Sequence, residues 1–244
     1  MKKLLLCLMA LLSICSYAQN SRLKDYALKV GQFDRIKIDD NVNVVYRQNP
    51  DSTGYVAYRG EEEFADAFIV SVNKGQLRVQ VDTEDVGKPN LPTLYVYSDF
   101  LTCVTNSSAF EVKVSDLAPC PEFKVVLIGN GTITVDDIRA NRLVAKLATG
   151  NGTINLSGKV EDTNLDMVGT GTIQADRLES LKVTCHIMGS GTIGCWPVDL
   201  LKVKGIGSTK IYYKGEPEVK KSGGGKLFQI PADGAAVADR STEE

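Results

Sequence analysis

The sequence predicts an all-β fold built as a parallel β-helix, a solenoid with coils of about 20 residues each. Three observations lead to this prediction. A glycine-rich word recurs along the chain, an aliphatic residue follows it at a fixed distance, and apolar and polar residues alternate on both sides of it. Alternation with a period of two is typical of strands, and internal repetition of this length is typical of solenoids.

The repeated word marks the coils. Four regular copies, IGNGTITVD at 128–136, TGNGTINLS at 149–157, VGTGTIQAD at 168–176 and MGSGTIGCW at 188–196, precede two degenerate ones at 207–213 and 223–229. The leading glycines are 21, 19, 20, 18 and 16 residues apart: Gly129, Gly150, Gly169, Gly189, Gly207 and Gly223. An aliphatic residue stands four places after each of them: Ile133, Ile154, Ile173, Ile193, Ile211 and Leu227. Six matches at one offset predict a column of inward side chains.

The word GSGTIG at 189–194 also matches the dinucleotide-binding pattern G-x-G-x-x-G. That motif requires a helix after the loop, and the continuation Cys195-Trp196-Pro197 does not begin one. We therefore interpret the glycines as corners, where a positive φ lets the chain turn sharply. Asn130 and Asn151, which stand between glycines, are expected to adopt the left-handed conformation as well.

One coil departs from the alternating pattern. Aligning it on Gly150 turns Lys146 inward, where an unpaired charge is costly. We predict a one-residue bulge near 148–149, which turns Lys146 outward. The same bulge turns three apolar neighbours inward: Leu143, Ala145 and Leu147.

The periodicity also divides the chain into regions. We predict a signal peptide at 1–18, irregular β-rich coils and a cap at 19–105, regular coils at 106–230, and a polar tail at 231–244. The cap is expected because the end coils of a solenoid need a cover against pairing with other chains. Residues 106–109 are interpreted as a degenerate first corner with Phe110 in the aliphatic position, and Phe100 as part of the preceding strand.

The first residues, MKKLLLCLMALLSICSYAQN, indicate export to the periplasm, the outer surface or the medium. Lys2 and Lys3 precede an apolar stretch, and cleavage is expected after Ala18. Lipid anchoring is the alternative, but its signal requires a small residue before the cysteine, and Ile14 precedes Cys15. After cleavage 26 basic and 30 acidic residues remain without a basic block, which argues against nucleic-acid binding. No later stretch has the length and apolar character of a membrane span.

Four cysteines follow the predicted cleavage site: Cys103, Cys120, Cys185 and Cys195. Their spacings of 17, 65 and 10 residues match no zinc motif. Cys185 and Cys195 are predicted to fill the core as small apolar side chains. Export to an oxidising compartment keeps disulfides open as the alternative, and the sequence does not decide a pairing.

No set of residues predicts catalysis or metal binding. His186 is the only histidine, and because it alternates with inward residues it is expected on the solvent side. The acidic clusters at 61–63, 82–85 and 136–137 fall in predicted turns, where solvated charge explains them. We therefore assign no catalytic, cofactor-binding or metal-binding residue, and we expect no cofactor.

The most regular outward feature is a column of threonines: Thr132, Thr153, Thr172 and Thr192. Ice-binding solenoids carry arrays of threonine doublets, but only Thr132 and Thr134 form a doublet here. Strand propensity and hydrogen bonding at the corner account for a single threonine column. Ice binding is therefore the weaker interpretation of this column.

The ordered set of corners resembles one known family. The copies of G-[NST]-G-T-I, the stretch Ile211-Tyr212-Tyr213-Lys214-Gly215-Glu216-Pro217 and the later Ser222-Gly223-Gly224-Gly225 are similar to the head GIN domain family of auto-transporter adhesins. The resemblance runs from about Phe33 to Leu227, nearly the whole mature chain. It implies a right-handed parallel β-helix without recognised catalytic residues and with a role in adhesion.

Three functional hypotheses follow. The first is a non-enzymatic exported protein that presents flat polar strand faces to a glycan or protein ligand at the cell envelope. The second is a carbohydrate-active β-helix enzyme, a lyase or hydrolase, with residues gathered from the irregular region. The third is a structural envelope component that self-associates through sheet edges or an outer face.

Overall fold

The computed structural model describes residues 23–231 of the 244-residue chain. The predicted signal peptide and the predicted tail from 232 onward lie outside the described residues. The irregular region contains nine strands: β1 (Lys24–Lys29), β2 (Arg35–Ile38), β3 (Val44–Gln48), β4 (Tyr55–Gly60), β5 (Phe68–Asn73), β6 (Gln76–Val81), β7 (Leu94–Ser98), β8 (Cys103–Asn106) and β9 (Glu111–Ser115). Eight strands follow: β10 (Cys120–Ile128), β11 (Thr132–Thr149), β12 (Thr153–Met167), β13 (Thr172–Gly189), β14 (Thr192–Gly207), β15 (Lys210–Lys214), β16 (Glu218–Gly223) and β17 (Lys226–Ile230).

Two short 3₁₀ turns, Pro50–Ser52 and Glu62–Phe64, are the helical segments of the described chain. Neither has the length and apolar character that a membrane-spanning helix requires.

Strands β10 to β17 form the predicted β-solenoid. Each pairs in parallel with the strands of the next coil, as β11 does with β12 and β12 with β13. The aliphatic residues after the corners lie in one register, with five of them fully buried: Ile133, Ile154, Ile173, Ile193 and Ile211. Leu227 continues the column in the last coil, where it is half-buried. The parallel β-helix is therefore confirmed.

Each regular coil has three faces rather than two. In β11 the inward residues divide into face 1 at 132–135, face 2 at 138–140 and face 3 at 143–147. Outward residues at 136–137 and 141–142 mark the bends between these faces, and the glycine corner joins face 3 to the next face 1. The sequence predicted at least two strands per coil, and the short face 2 is the addition.

The two corner glycines serve different physical purposes. The first permits a turn, as at Gly150, where φ is 85°. The second permits close stacking, since a Cβ on Gly171 would lie 2.2 Å from the carbonyl oxygen of Gly152 in the preceding coil. The GSGTIG word at 189–194 therefore belongs to a stack of coils, and the chain continues from it into strand β14.

The expectation for Asn130 and Asn151 was wrong, because neither adopts a positive φ. The backbone N–H of Asn151 instead donates to Oδ1 of Asn130 at 3.0 Å, so the side chain of one corner supports the backbone of the next. Stacking between coils, not local turn strain, therefore explains an asparagine at this place.

The predicted bulge is confirmed. Leu127 pairs with Leu147 and Ile128 with Thr149, so Ala148 is the extra residue in its coil. Lys146 is exposed, as expected from the cost of burying its charge. The three predicted inward neighbours, Leu143, Ala145 and Leu147, are fully buried.

The irregular region does not stack in sequence order. Strand β2 lies between β6 and β8, and β3 lies between β7 and β9, with all four pairings parallel. The first strands of the chain are thus inserted between two later ones. Predicted core residues of this region, Phe33, Ile36, Ile38, Leu77, Val79, Val81, Leu94 and Val96, are buried.

Antiparallel strands cover the end of the solenoid in this region. Strand β5 pairs with β6, and β4 pairs with both β7 and β1. Tyr58 of β4 stacks on Tyr26 at 4.8 Å and meets Phe68 edge-on at 4.9 Å. Its hydroxyl donates to the carbonyls of Phe64 and Ala65 at 3.0 and 2.7 Å. Because these strands pair with the first coil, they block the edge that would otherwise recruit another chain.

Two aromatic assignments were wrong. Phe100 lies after β7 and is exposed, while Ser98 takes the buried place and donates from Oγ to the Tyr46 hydroxyl at 3.1 Å. Phe110 is exposed too, because Val112 pairs with Ile133 and fills the aliphatic position. Both errors arise because a strand alternation that ends one residue earlier reverses the side of every later residue.

Asn106 replaces an aliphatic residue in the first corner. It pairs with Leu127 and is fully buried. Its Nδ2 donates to the carbonyls of Phe110 and Thr132 at 2.9 and 3.1 Å, and its Oδ1 accepts from the backbone N–H of Ser108 at 2.9 Å. A side-chain amide therefore satisfies the backbone groups of this corner, which lacks glycine.

Cys185 and Cys195 fill the core as predicted, since both are fully buried free thiols. A hydrogen bond with Cys185, together with burial, raises the pKa of Cys195 well above its usual range. Cys120 is also buried and Cys103 half-buried, and both are free thiols in this structure.

Candidate functional site

Face 1 carries the threonine column in register. Thr132 pairs with Thr153, Thr153 with Thr172, and Thr172 with Thr192, and all four side chains are half-buried on the outside of the coils. Neighbouring strands lie about 4.8 Å apart, so the hydroxyls repeat at that interval along the solenoid. The predicted outward column is confirmed.

A second polar column runs beside the threonines. Thr134, Asn155 and Gln174 pair successively along face 1. Asn155 Nδ2 donates to Thr134 Oγ1 at 3.3 Å, and that hydroxyl donates to Glu111 Oε1 at 2.9 Å. We call the two columns together the polar face: Thr132, Thr134, Thr153, Asn155, Thr172, Gln174 and Thr192.

Aromatic side chains stand at both ends of the polar face. At one end Tyr212 and Phe228 stack with ring centroids 5.1 Å apart and an interplanar angle of 21°. At the other end Tyr95 lies under the guanidinium of Arg47 at 5.8 Å. Tyr95 and Tyr212 belong to the same outward column as Thr134, which the register of the intervening strands connects. Rings beside hydroxyls and amides provide both apolar and polar contacts on one flat surface.

Face 3 presents a different surface. Its outward column contains Lys146, Asp166, His186 and Lys204 in successive coils. These residues, with the exposed Met188 beside them, line a shallow hollow of about 400 Å³. His186 is exposed as predicted, and its Nδ1 lies 2.8 Å from Asp166 Oδ1. This is the only ion pair that the single histidine makes among the described residues.

The three acidic clusters lie apart and interact with local cations. Glu62 pairs with Lys24 at 2.8 Å, Asp85 with Lys88, and Asp137 with Arg139 at 2.7 Å. The side chain of Asp82 accepts the backbone N–H of Glu84 at 3.0 Å, as expected of a turn residue. Within residues 23–231 no group of three or more His, Cys, Asp or Glu side chains has the spacing of a metal site.

The fold and its repeated corners match a described family over residues 32–217: auto-transporter adhesin, head GIN domain, with the family description carrying the word putative. The chain belongs to this family. The resemblance inferred from the corner words is thereby confirmed. Among curated proteins no match was found.

Three solved structures share the fold. One, described as a putative adhesin from Bacteroides fragilis, has a TM-score of 0.75 and 20% identity, with 86% of this chain and 98% of that chain covered. A second, described as a putative adhesin from Parabacteroides merdae, has a TM-score of 0.62 and 21% identity over 88% and 98%. A third, described as a putative lipid binding protein from Parabacteroides distasonis, has a TM-score of 0.66 and 21% identity over 86% and 98%. At these identities the likeness shows the fold alone.

Sequence reasoning missed the aromatic ends of the polar face. Tyr95 lies in the irregular region, where no repeat predicts its register. Tyr212 lies in a degenerate copy, and its position becomes visible only when GSTKIYY is aligned on Ile211. That alignment also places Gly194 between Gln174 and Tyr212, an interruption of the polar column by a residue without a side chain.

Proposed function

We propose that this adhesin-family protein is exported and, without catalysing a reaction, binds a glycan or protein ligand at the cell envelope through its polar face. The observation behind the proposal is the in-register array of hydroxyls and amides with aromatic rings at both ends. The N-terminal sequence MKKLLLCLMALLSICSYAQN supports export, and the family description supports adhesion.

Rigidity favours such a role. The side chains of the polar face project from strands that pair on both sides, so their backbone positions are fixed before a ligand arrives. A preorganised surface loses less conformational entropy on binding than a flexible loop does. Repetition along the solenoid also suits a ligand that is itself extended and repetitive, because each further coil adds similar contacts.

The chemistry of the face favours an uncharged, hydrogen-bonding ligand. Its threonine hydroxyls both donate and accept, and its Asn and Gln amides do the same. Charged side chains stand at its margins, where Glu111 precedes Thr132 and Lys210 follows Thr192 in register. Glycan hydroxyls and extended polypeptide backbones both match this pattern.

The test uses the mature chain, residues 19–244, on an array of glycans and extracellular-matrix proteins. A triple variant, Thr153→Ala, Asn155→Ala and Gln174→Ala, removes the centre of the polar face. A matched triple variant, Lys146→Ala, Asn164→Ala and Thr184→Ala, removes outward groups of face 3. We expect the first to weaken binding of the best array ligand at least about tenfold and the second to leave it within about twofold, a difference of about 1 kcal/mol or more.

Equal effects of the two triple variants would contradict the proposal. So would cleavage of a polysaccharide by the purified protein with activity lost on changing an acidic pair, since that result would favour the enzyme hypothesis. Light scattering on the same samples addresses self-association. Ordered oligomers that disappear in the first triple variant would assign the polar face to assembly instead.

A further inference from the structure

Gly194 is a glycine without a structural reason. Among the described residues, every other glycine has either a φ in the left-handed region or a Cβ position within 3.1 Å of another atom. At Gly194 the φ lies outside that region, and the nearest atom to a Cβ would be the Cβ of Asp176 at 3.5 Å, an ordinary contact. The fold would therefore accept a side chain at this position.

A glycine inside a strand also weakens the strand, since it contributes no packing and loses the most backbone entropy on folding. The equivalent positions in earlier coils carry Thr134, Asn155 and Gln174. A strand glycine without a local reason often marks a place where something approaches the backbone closely. At Gly194 the approach would come from outside the coil, because this position faces solvent between the neighbouring side chains.

The missing side chain leaves a notch bounded by Gln174 and Tyr212, which we call the Gly194 notch. Gln174 pairs with Gly194 on one side, and Tyr212 pairs with it on the other. Because one face of the Tyr212 ring stacks on Phe228 of the following coil, its other face points toward Gly194. Two strand spacings separate β13 from β15, about 9.6 Å, which leaves room for one ring stacked on Tyr212.

A carboxylate closes one end of the notch. Asp176 Oδ1 lies 3.7 Å from the place of a Cβ on Gly194. Lys214 fixes this residue, because its Nζ donates to the Asp176 carbonyl at 2.8 Å and lies 3.5 Å from the carboxylate. The same ammonium lies 5.8 Å from the centre of the Trp196 ring. The carboxylate therefore keeps a defined position with an accepting oxygen near the notch.

These groups match the chemistry of one sugar ring. A pyranose presents apolar C–H groups on a face that can lie on an aromatic ring, and hydroxyls at its edge that donate to a carboxylate and exchange hydrogen bonds with an amide. An anionic ligand would meet the Asp176 carboxylate, which argues for a neutral sugar. We propose that the Gly194 notch is a single-residue subsite for a neutral pyranose unit of a glycan. The inference rests on the proposed function and names the ligand class at one end of the polar face.

The experiment changes the notch without changing the fold. Gly194→Gln continues the column with the residue found at Gln174 and fills the space, and Tyr212→Ala removes the ring. Thr184→Gln adds comparable bulk to face 3 of the same coil and serves as the control. The probes are the methyl glycosides of glucose, galactose, mannose and N-acetylglucosamine. Binding is followed by the fluorescence of Trp196, the only tryptophan in the chain, and by ligand-observed NMR.

We expect the wild type to bind at least one of the four glycosides. Gly194→Gln and Tyr212→Ala should each weaken that binding tenfold or more, and Thr184→Gln and Tyr212→Phe should leave it within twofold. Thermal unfolding of Gly194→Gln should occur at or above the wild-type temperature, which separates lost binding from lost folding. Wild-type affinity in Gly194→Gln would overturn the subsite, as would the absence of any glycoside binding by the wild type.

The two proposals fail in different ways. If the mature chain binds only matrix proteins, and the triple variant of the polar face abolishes that binding, the sugar subsite is wrong while the proposed function stands. If the triple variant has no effect on any array ligand, the proposed function is wrong, whatever the Gly194 variants do.

Discussion

The regular coils and the irregular region solve the same packing problem differently. In the regular coils each strand pairs with residues about 20 positions away, as Thr132 does with Thr153. In the irregular region Ile36 pairs with Leu77 and with Val104, which lie 41 and 68 positions further along the chain. One region stacks in sequence order, and the other inserts its first strands between later ones.

The interiors differ in the same direction. The column before the corner in the regular coils contains Leu127, Leu147, Met167 and Ile187, all buried. The irregular region places buried Asn106 in that column and adds two buried tyrosines, Tyr46 and Tyr58, each with a hydrogen-bonded hydroxyl. Repeated coils find similar neighbours on either side, whereas strands paired out of order need specific polar contacts to define which strands meet.

The largest expected effect concerns the stacking of the regular coils. In Gly191→Ala the new Cβ would lie 2.2 Å from the Gly171 carbonyl oxygen, so neighbouring coils must separate. We expect a loss of about 3 kcal/mol or more in the free energy of unfolding, measured by urea denaturation. Gly194→Ala, three residues away in the same strand, is the matched control and should not destabilise the protein. Equal stabilities of the two variants would remove the stacking explanation of the second corner glycine.

The next effect tests the polar corner of the irregular region. By sequence pattern, Asn106→Leu restores the aliphatic column and should stabilise the fold. By structure it removes both Nδ2 bonds and the acceptor for Ser108, so we expect a loss of about 2–3 kcal/mol. Denaturant unfolding followed by circular dichroism measures the change. A more stable Asn106→Leu protein would show that this corner is only a degraded copy of the regular ones.

Alkaline pH should weaken the irregular region through its tyrosines. Burial raises the pKa of Tyr46 and of Tyr58 to about 12 from the ordinary 10.0. The folded state then holds these protons more tightly than the unfolded state, so their contribution is complete below about pH 10 and declines between about pH 10 and 12. Urea midpoints across this range, with tyrosinate absorbance, measure the decline.

Tyr46→Phe provides the control for the pH dependence. It should cost about 1 kcal/mol at neutral pH through the lost contact with Ser98, and it should flatten part of the alkaline decline. An unchanged slope in this variant would mean that another group titrates.

The smallest expected effect concerns the bulge. Deleting Ala148 shortens its coil to the length of its neighbours and leaves one residue between Leu147 and Gly150, the spacing found between Met167 and Gly169. We expect a change within about 1 kcal/mol, since every inward residue keeps its side. Deleting Val144 instead reverses the alternation on face 3 and should prevent folding. Comparable damage from both deletions would contradict the assignment of Ala148 as the extra residue.

Much of the fold was predictable because the repeat carries its own alignment. The glycine word fixed the corners, the residue four places later fixed the inward column, and the cost of burying Lys146 located the bulge. Phe100 and Phe110 were placed wrongly because the irregular region offers no second copy with which to compare a strand's end. The candidate site was predictable only in part, since the threonine column follows from the repeat but its aromatic ends do not.

By itself, the sequence determined the strand character, the parallel stacking and the sidedness of residues in the regular coils, because these depend on local alternation and on neighbours at a constant separation. Only the tertiary structure decided that β2 and β3 lie between later strands, that Asn106 completes a corner, and that Tyr212 faces Gly194. Those arrangements depend on contacts between residues far apart in the chain, whose register no short-range pattern specifies.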